Sequence, residues 1–246
     1  MTGAEIAVVL LAAAFASVVK SITGTGYPLV LIPVLALFGD VADAVVLVAL
    51  PNLWLNASLI WQARTAWADA SSDLTRFLAA SIVGGATGAL LLPILPDRLL
   101  RLALVAVIAI FVVNRVRSPQ WSIDPPAVRR WGPTVGAVSG VFQGAAGISG
   151  PLVIPWFLGQ KSAREIYLVS VGSAFALSGL AQISVLGAQG RFTLEILGLA
   201  VGLIVMVIVL FPLGVRLRDR LDVDTFERVV IGLLILSAVS LLVRAL

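Results

Sequence analysis

The chain contains neither cysteine nor histidine. Those absences exclude disulfides, haem attachment, zinc sites of the usual ligand types and acid–base chemistry built on imidazole. Charge is scarce too: 12% of the 246 residues are Asp, Glu, Lys or Arg, against 60% hydrophobic. A soluble domain must show water more polar surface than this composition supplies. With a mean hydropathy of +1.07, the chain belongs in a lipid bilayer. There is no Walker-type phosphate loop, and all 13 acidic residues fall at the ends of apolar runs or in loops. No relay of buried carboxylates is visible. The net charge of +4 does not imply a nucleic acid partner. The basic residues sit in short loops between apolar segments, where lipid headgroups and orientation bias account for them.

Apolar runs of transmembrane length lie at about 41–63, 74–95, 97–114, 163–187, 192–213 and 224–244, which predicts six crossings. The first apolar stretch is not followed by a small-residue cleavage site and a polar mature domain, so the N-terminal segment is expected to stay. Two further stretches, 4–38 and 132–158, are interrupted by "SITGTGYPLVLIP" (21–33) and "GAAGISGPLVIP" (144–155). A straight helix over 4–38 would be roughly 50 Å long, far more than a hydrocarbon core of roughly 30 Å. Each motif is therefore expected at the tip of a helical hairpin dipping into the membrane; two short full crossings are the alternative that length disfavours.

The positions of the basic residues agree with hairpins. If each hairpin returns to its starting side, the loops holding Arg64, Arg76, Arg115, Arg117, Arg129, Arg130, Lys161, Arg164, Arg216, Arg218, Arg220 and Arg228 share one face. The opposite face keeps Arg98, Arg101, Arg191 and Arg244. The positive-inside rule then places both termini outside.

Three net crossings in each half invert the second half relative to the first. The two halves, 1–123 and 124–246, also repeat: Gly24 and Pro28 correspond to Gly147 and Pro151, Pro33 to Pro155 after a one-residue deletion, and Asn52 to Ser173. The expected fold class is an all-α integral membrane protein of two inverted-topology repeats, each a broken helical hairpin plus three transmembrane helices. Discontinuous helices in corresponding places are the pattern of secondary transporters, whose substrate site lies near the midplane. Gly and Pro that merely permit packing or a kink are the simpler alternative, but it leaves the matching positions unexplained.

A helix starting at Pro28 or Pro151 presents free amide N–H groups and the positive end of its macrodipole. Gly24, Gly26, Gly147 and Gly150 keep side chains away from that backbone, and two such ends meeting near the midplane would cradle an oxyanion. Thr23, Thr25, Tyr27 and Ser149 can add hydroxyl donors, or can bond back to their own helices. Lys20 follows the apolar run "LLAAAFASVV", one turn before the first break. A charge placed there is costly and ordinarily faces a cavity or a partner. It is expected to attract the anion, the alternatives being snorkelling to the interface or pairing with a carboxylate. Its counterpart in the second half is the neutral Gln143. Asn52 shares a helix face with Asn56, and Asn52 and Ser173 are expected to line the pathway. The same polar groups would also serve interhelical hydrogen bonding.

The paired segments "GTGYPLVLIPVL" and "GAAGISGPLVIPWFL", each opening one half of the chain, resemble the TauE/SafE family of sulfite exporter-like permeases. The first copy departs from the Gly-rich pattern at Tyr27 and Pro28. The resemblance implies transport of small sulfur-containing anions such as sulfite, sulfonates or sulfoacetate, with export the expected direction, across a bacterial cytoplasmic membrane. The expected partners are that anion and membrane lipids, and no cofactor is expected; a homo-oligomer is left open. An anion channel of the same fold is the second function class. An intramembrane enzyme is disfavoured, because no Ser/Lys or Asp/Asp pair faces another across the repeats.

Overall fold

The computed structural model describes residues 3–23, 26–69, 72–117, 122–217 and 223–245. These fold into ten α-helices and one short 3-10 turn, with no strand among the described residues. The order is α1 (Gly3–Thr23), α2 (Tyr27–Leu35), α3 (Val41–Gln62), α4 (Ser72–Leu91) and α5 (Asp97–Arg117), then α6 (Pro125–Ala146), α7 (Gly150–Leu158), α8 (Arg164–Ala188), α9 (Leu194–Leu217) and α10 (Val223–Ala245). Each set of five opens with a long helix and a nine-residue one. A nine-residue helix reaches only about 13 Å, under half of a hydrocarbon core.

Four helices are long and apolar enough by themselves to cross a membrane: Val41–Gln62, Ser72–Leu91, Arg164–Ala188 and Leu194–Pro212. The sequence predicts six crossings. The other two expected ones coincide with α5 and α10, 21 and 23 residues long. Asp97, Arg98 and Arg101 crowd the start of α5, and Val230–Ala245 of α10 is apolar but shorter than a full span among the described residues. Large apolar side chains on the outside, among them Leu194, Val201, Val209 and Leu236, face where lipid would lie. The chain is a multi-pass membrane protein.

Glycine marks both breaks. Gly26 (φ 99°) precedes α2 and Gly147 (φ 70°) ends α6, both left-handed conformations that L side chains rarely adopt. Pro28 and Pro151 stand in the first turn of α2 and α7, where the missing N–H costs no helix bond.

After the second break the chain doubles back. The Ile123 N–H, just ahead of α6, donates to the carbonyl of Gly159 at the end of α7 (2.8 Å). Trp156 also lies beside Gly132 near the start of α6. The α2 helix packs along α1 and into the larger core with α3, α5, α9 and α10. The α7 helix belongs to a second apolar cluster with Leu74, Phe77 and Phe175.

Loops segregate to two ends. At one end, Arg101 holds the carbonyls of Ala36 and Gly39, Asp97 accepts from the Val41 N–H, and Arg191 lies 3.7 Å from Asp43. A cleft of about 490 Å³ opens there between α3 and α9. Asp73, Val128, Gln160 and Ser162 meet at the other end around a cleft of about 200 Å³.

The closest helix contact is between α4 and α6. A Cβ added to Gly84, Gly88, Gly136, Gly140 or Gly144 would overlap a backbone carbonyl of the facing helix. Gly136, Gly140 and Gly144, four residues apart, thus form with Gly84 and Gly88 a seam along which two backbones touch, the membrane alternative to a hydrophobic interface.

Candidate functional site

Helix α1 delivers Lys20 to the protein interior with only 1% of its surface exposed. Its ammonium donates a hydrogen bond to Oδ1 of Asn56 on α3 (2.6 Å) and lies 5.1 Å from the centre of the Phe175 ring on α8. The ring face adds a cation–π attraction. Among the described residues no carboxylate lies within ion-pair distance of this nitrogen. Lys20 therefore neither snorkels nor pairs with an acid; its partners are neutral.

At the second break, neutral dipoles occupy the corresponding place. The Gln143 amide donates to the carbonyl of Gly147 (3.3 Å) and its Oε1 accepts from the Ser149 hydroxyl (2.9 Å). Gln182 on α8 donates to the carbonyl of Gly144 (3.1 Å). These bonds satisfy carbonyls that the end of α6 leaves open and tie the break to α8. Ser149 precedes α7 but makes no side-chain cap; its hydroxyl donates to Gln143 across the break.

The two breaks converge. A small cavity of about 20 Å³ is lined by Lys20, Gly26, Pro28 and Asn52 from the first half and by Gln143, Gly147, Ser149 and Gly150 from the second. Leu29, Phe111, Ile148, Ile154 and Phe175 complete its walls. A Cβ on Gly147 would lie 2.5 Å from Cδ1 of Ile32, so the second break abuts α2 directly. The cavity has room for about one water.

Other residues expected at the site lie elsewhere. Tyr27 is fully buried in the larger core, and its hydroxyl has no partner. Pro151 is buried beside the cavity without lining it. The Ser173 hydroxyl donates to the Val169 carbonyl of its own helix (2.5 Å), the back-bond that competes with a pathway role. Gly24, Thr25 and the side chain of Thr23 lie outside the described residues.

Three features escape the sequence reading. Asn56 stands out in the sequence only as a neighbour of Asn52, whereas in the fold it is the partner of Lys20. Phe111 and Phe175 read as ordinary core aromatics. The glycine ladder of α6 is visible at four-residue spacing, and a search for small residues at that interval would have found it. Oδ1 of Asn52 and Nδ2 of Asn56 are buried without partners. Buried amide atoms are ordinarily hydrogen-bonded, and these two lie close to the Lys20 ammonium.

The family model described as "Sulfite exporter TauE/SafE" matches residues 9–241. Neither the curated proteins nor the solved structures gave a match.

Proposed function

The chain belongs to the sulfite exporter TauE/SafE family, and from that premise we propose that it is a secondary transporter or uniporter. It carries a small sulfur-containing anion of the sulfite, sulfonate or sulfoacetate class, mainly outward, across a bacterial cytoplasmic membrane. The observation that carries this reading is the unopposed ammonium of Lys20, aimed into the cavity between the two helix breaks. One of its three hydrogens is held by Asn56. The others remain for an oxyanion. The first-turn amides of α2 and α7 add positive dipole ends from both sides.

In this reading the two sets of five helices are inverted repeats, with the anion held between their breaks. A cavity with room for one water is too small for an oxyanion of four or more heavy atoms. The halves must part to admit it and close again before opening to the other side. That requirement favours a carrier over an open anion channel. With both termini outside, a negative-inside potential drives an anion outward by about 2.3 kcal/mol per charge per 100 mV, so export needs no buried acid and no nucleotide.

The test is flux in liposomes containing the purified protein. Sulfite or a sulfonate should show saturable uptake and counterflow from preloaded vesicles. Absence of flux for every sulfur oxyanion would overturn the proposal, and currents linear in voltage without saturation would replace the carrier with a channel.

A further inference from the structure

The site contains a single formal charge. From the charge count around the cavity, we infer that this transporter selects singly charged anions and rejects dianions such as sulfate, fully deprotonated sulfite and sulfoacetate. The inference rests on the proposed anion site and narrows the substrate range proposed above to its monoanions, bisulfite and simple sulfonates, leaving sulfoacetate out.

Every group facing the cavity is neutral except Lys20: Asn52 from α3, Phe111 from α5, Gln143 from α6, Ser149 and Ile154 around the start of α7, and Phe175 from α8. Among the described residues lining the cavity there is no second cation. The Lys20 ammonium itself has a neutral amide and an aromatic ring as neighbours, and among the described residues no acid that a bound anion would have to displace.

The argument is charge balance in a medium of low dielectric. One ammonium and one monoanion form a neutral pair, and the empty site is the state that carries an uncompensated charge. A dianion leaves one negative charge unmatched, with only amide and helix-end dipoles to stabilise it. An extra unpaired charge in a membrane interior lowers occupancy on the order of a hundredfold. Two breaks each carrying a cation would have favoured dianions. Having Gln143 at the position that corresponds to Lys20 makes the pocket univalent.

The test uses the unaltered protein in liposomes and compares anions that share the sulfonate or sulfate head but differ in charge. Methanesulfonate, at subsaturating concentration, should enter on the order of a hundred times faster than sulfate or sulfoacetate. For sulfite, one elementary charge should move per sulfur. Sulfate or sulfoacetate carried as fast as methanesulfonate, or two charges per sulfite, would overturn the inference while leaving an anion transporter in place. If no sulfur oxyanion is carried, the proposed function falls and this inference with it.

Discussion

Nζ of Lys20 lies 2.6 Å from Oδ1 of Asn56, and that contact links the first helix break to the middle of α3. The two residues are 36 positions apart in the chain, and both are essentially fully buried. A buried charge whose polar partner is neutral is costly to keep without a counter-ion. The fold keeps it at the point where two interrupted helices meet. The cost is understandable if the missing counter-ion is the cargo.

Replacing Lys20 with Met should therefore separate stability from function. Removing the lone charge relieves its desolvation but leaves Oδ1 of Asn56 without a donor, so the thermal midpoint of the empty protein should change little. Binding should weaken by about tenfold to a hundredfold, the range for a hydrogen bond to a charged group. Thermal stabilisation by methanesulfonate or bisulfite checks both halves: Lys20→Met should need about tenfold to a hundredfold more ligand to reach the same stabilisation. Undiminished stabilisation would remove Lys20 from the site.

Asn56→Asp tests the same pair from the other side. A carboxylate at that position would give Lys20 a permanent counter-ion, and anion binding would have to displace it. The variant should fold, hold an ion pair, and lose transport by about tenfold or more. Asn56→Gln, which keeps a neutral acceptor on a longer arm, should retain more activity than Asn56→Asp. The initial rate of sulfite uptake ranks the three proteins.

The sequence exposes the parts of this architecture that leave a periodic or compositional trace. Both interruptions, the short helices behind them and the lone intramembrane Lys20 are readable because Gly, Pro and Lys are conspicuous in apolar runs. The pairing of Lys20 with Asn56 is not, because it depends on how α1 lies against α3. Nor does a sequence say whether a hydroxyl turns outward or back onto its helix. Ser149 reaches Gln143 across the break, whereas Ser173 spends its hydrogen on Val169. Tyr27 sits in the motif by sequence but is carried into the core when α2 packs along α1. The crossing count was blurred where charges crowd the start of α5.

Glycine seams give a stability prediction with an internal control. At Gly140 a Cβ would overlap the carbonyl of Ser81, and at Gly88 that of Val141. Gly140→Ala and Gly88→Ala should each push α4 and α6 apart at a cost of about 1–3 kcal/mol. At Gly198 and Gly202 on α9 nothing lies within 4 Å of the added atom. There Ala should be neutral or stabilising by up to about 1 kcal/mol, through helix propensity alone. Thermal unfolding in detergent should separate the two pairs, and equal effects would show that the α4–α6 contact is not tight.

Contact between the second break and α2 can be measured by a double-mutant cycle. Gly147→Ala adds a methyl that would lie 2.5 Å from Cδ1 of Ile32 and forces a non-glycine residue to φ 70°. The backbone part costs about 1–2 kcal/mol wherever Ile32 is. The steric part should vanish when Ile32 is shortened to Ala. Gly147→Ala should thus be less damaging in the Ile32→Ala background than in the native one, by an interaction of about 0.5–3 kcal/mol. Strict additivity would mean that the two breaks do not touch.

The absence of cysteine makes sidedness directly testable, since every introduced thiol is the only one. Ser162, beside Gln160 at the end of α7, and Arg129 near the start of α6 are exposed at one end of the bundle. Gly190 and Arg98 belong to the opposite end, with the Asp43–Arg191 contact and the start of α5. Single cysteines at Gly190 and Arg98 should react with an impermeant maleimide added to intact cells. Those at Ser162 and Arg129 should react only after the membrane is opened, because the positive-inside rule puts the Arg-rich loops in the cytoplasm. Ser162 and Arg129 flank the hairpin formed by α6 and α7. Labelling of these two from opposite sides would mean that the chain crosses the membrane at the second break. Labelling of both from the same side means that the chain returns to the side it left, and the nine residues of α7, about 13 Å, are too short for that return to be a second full crossing.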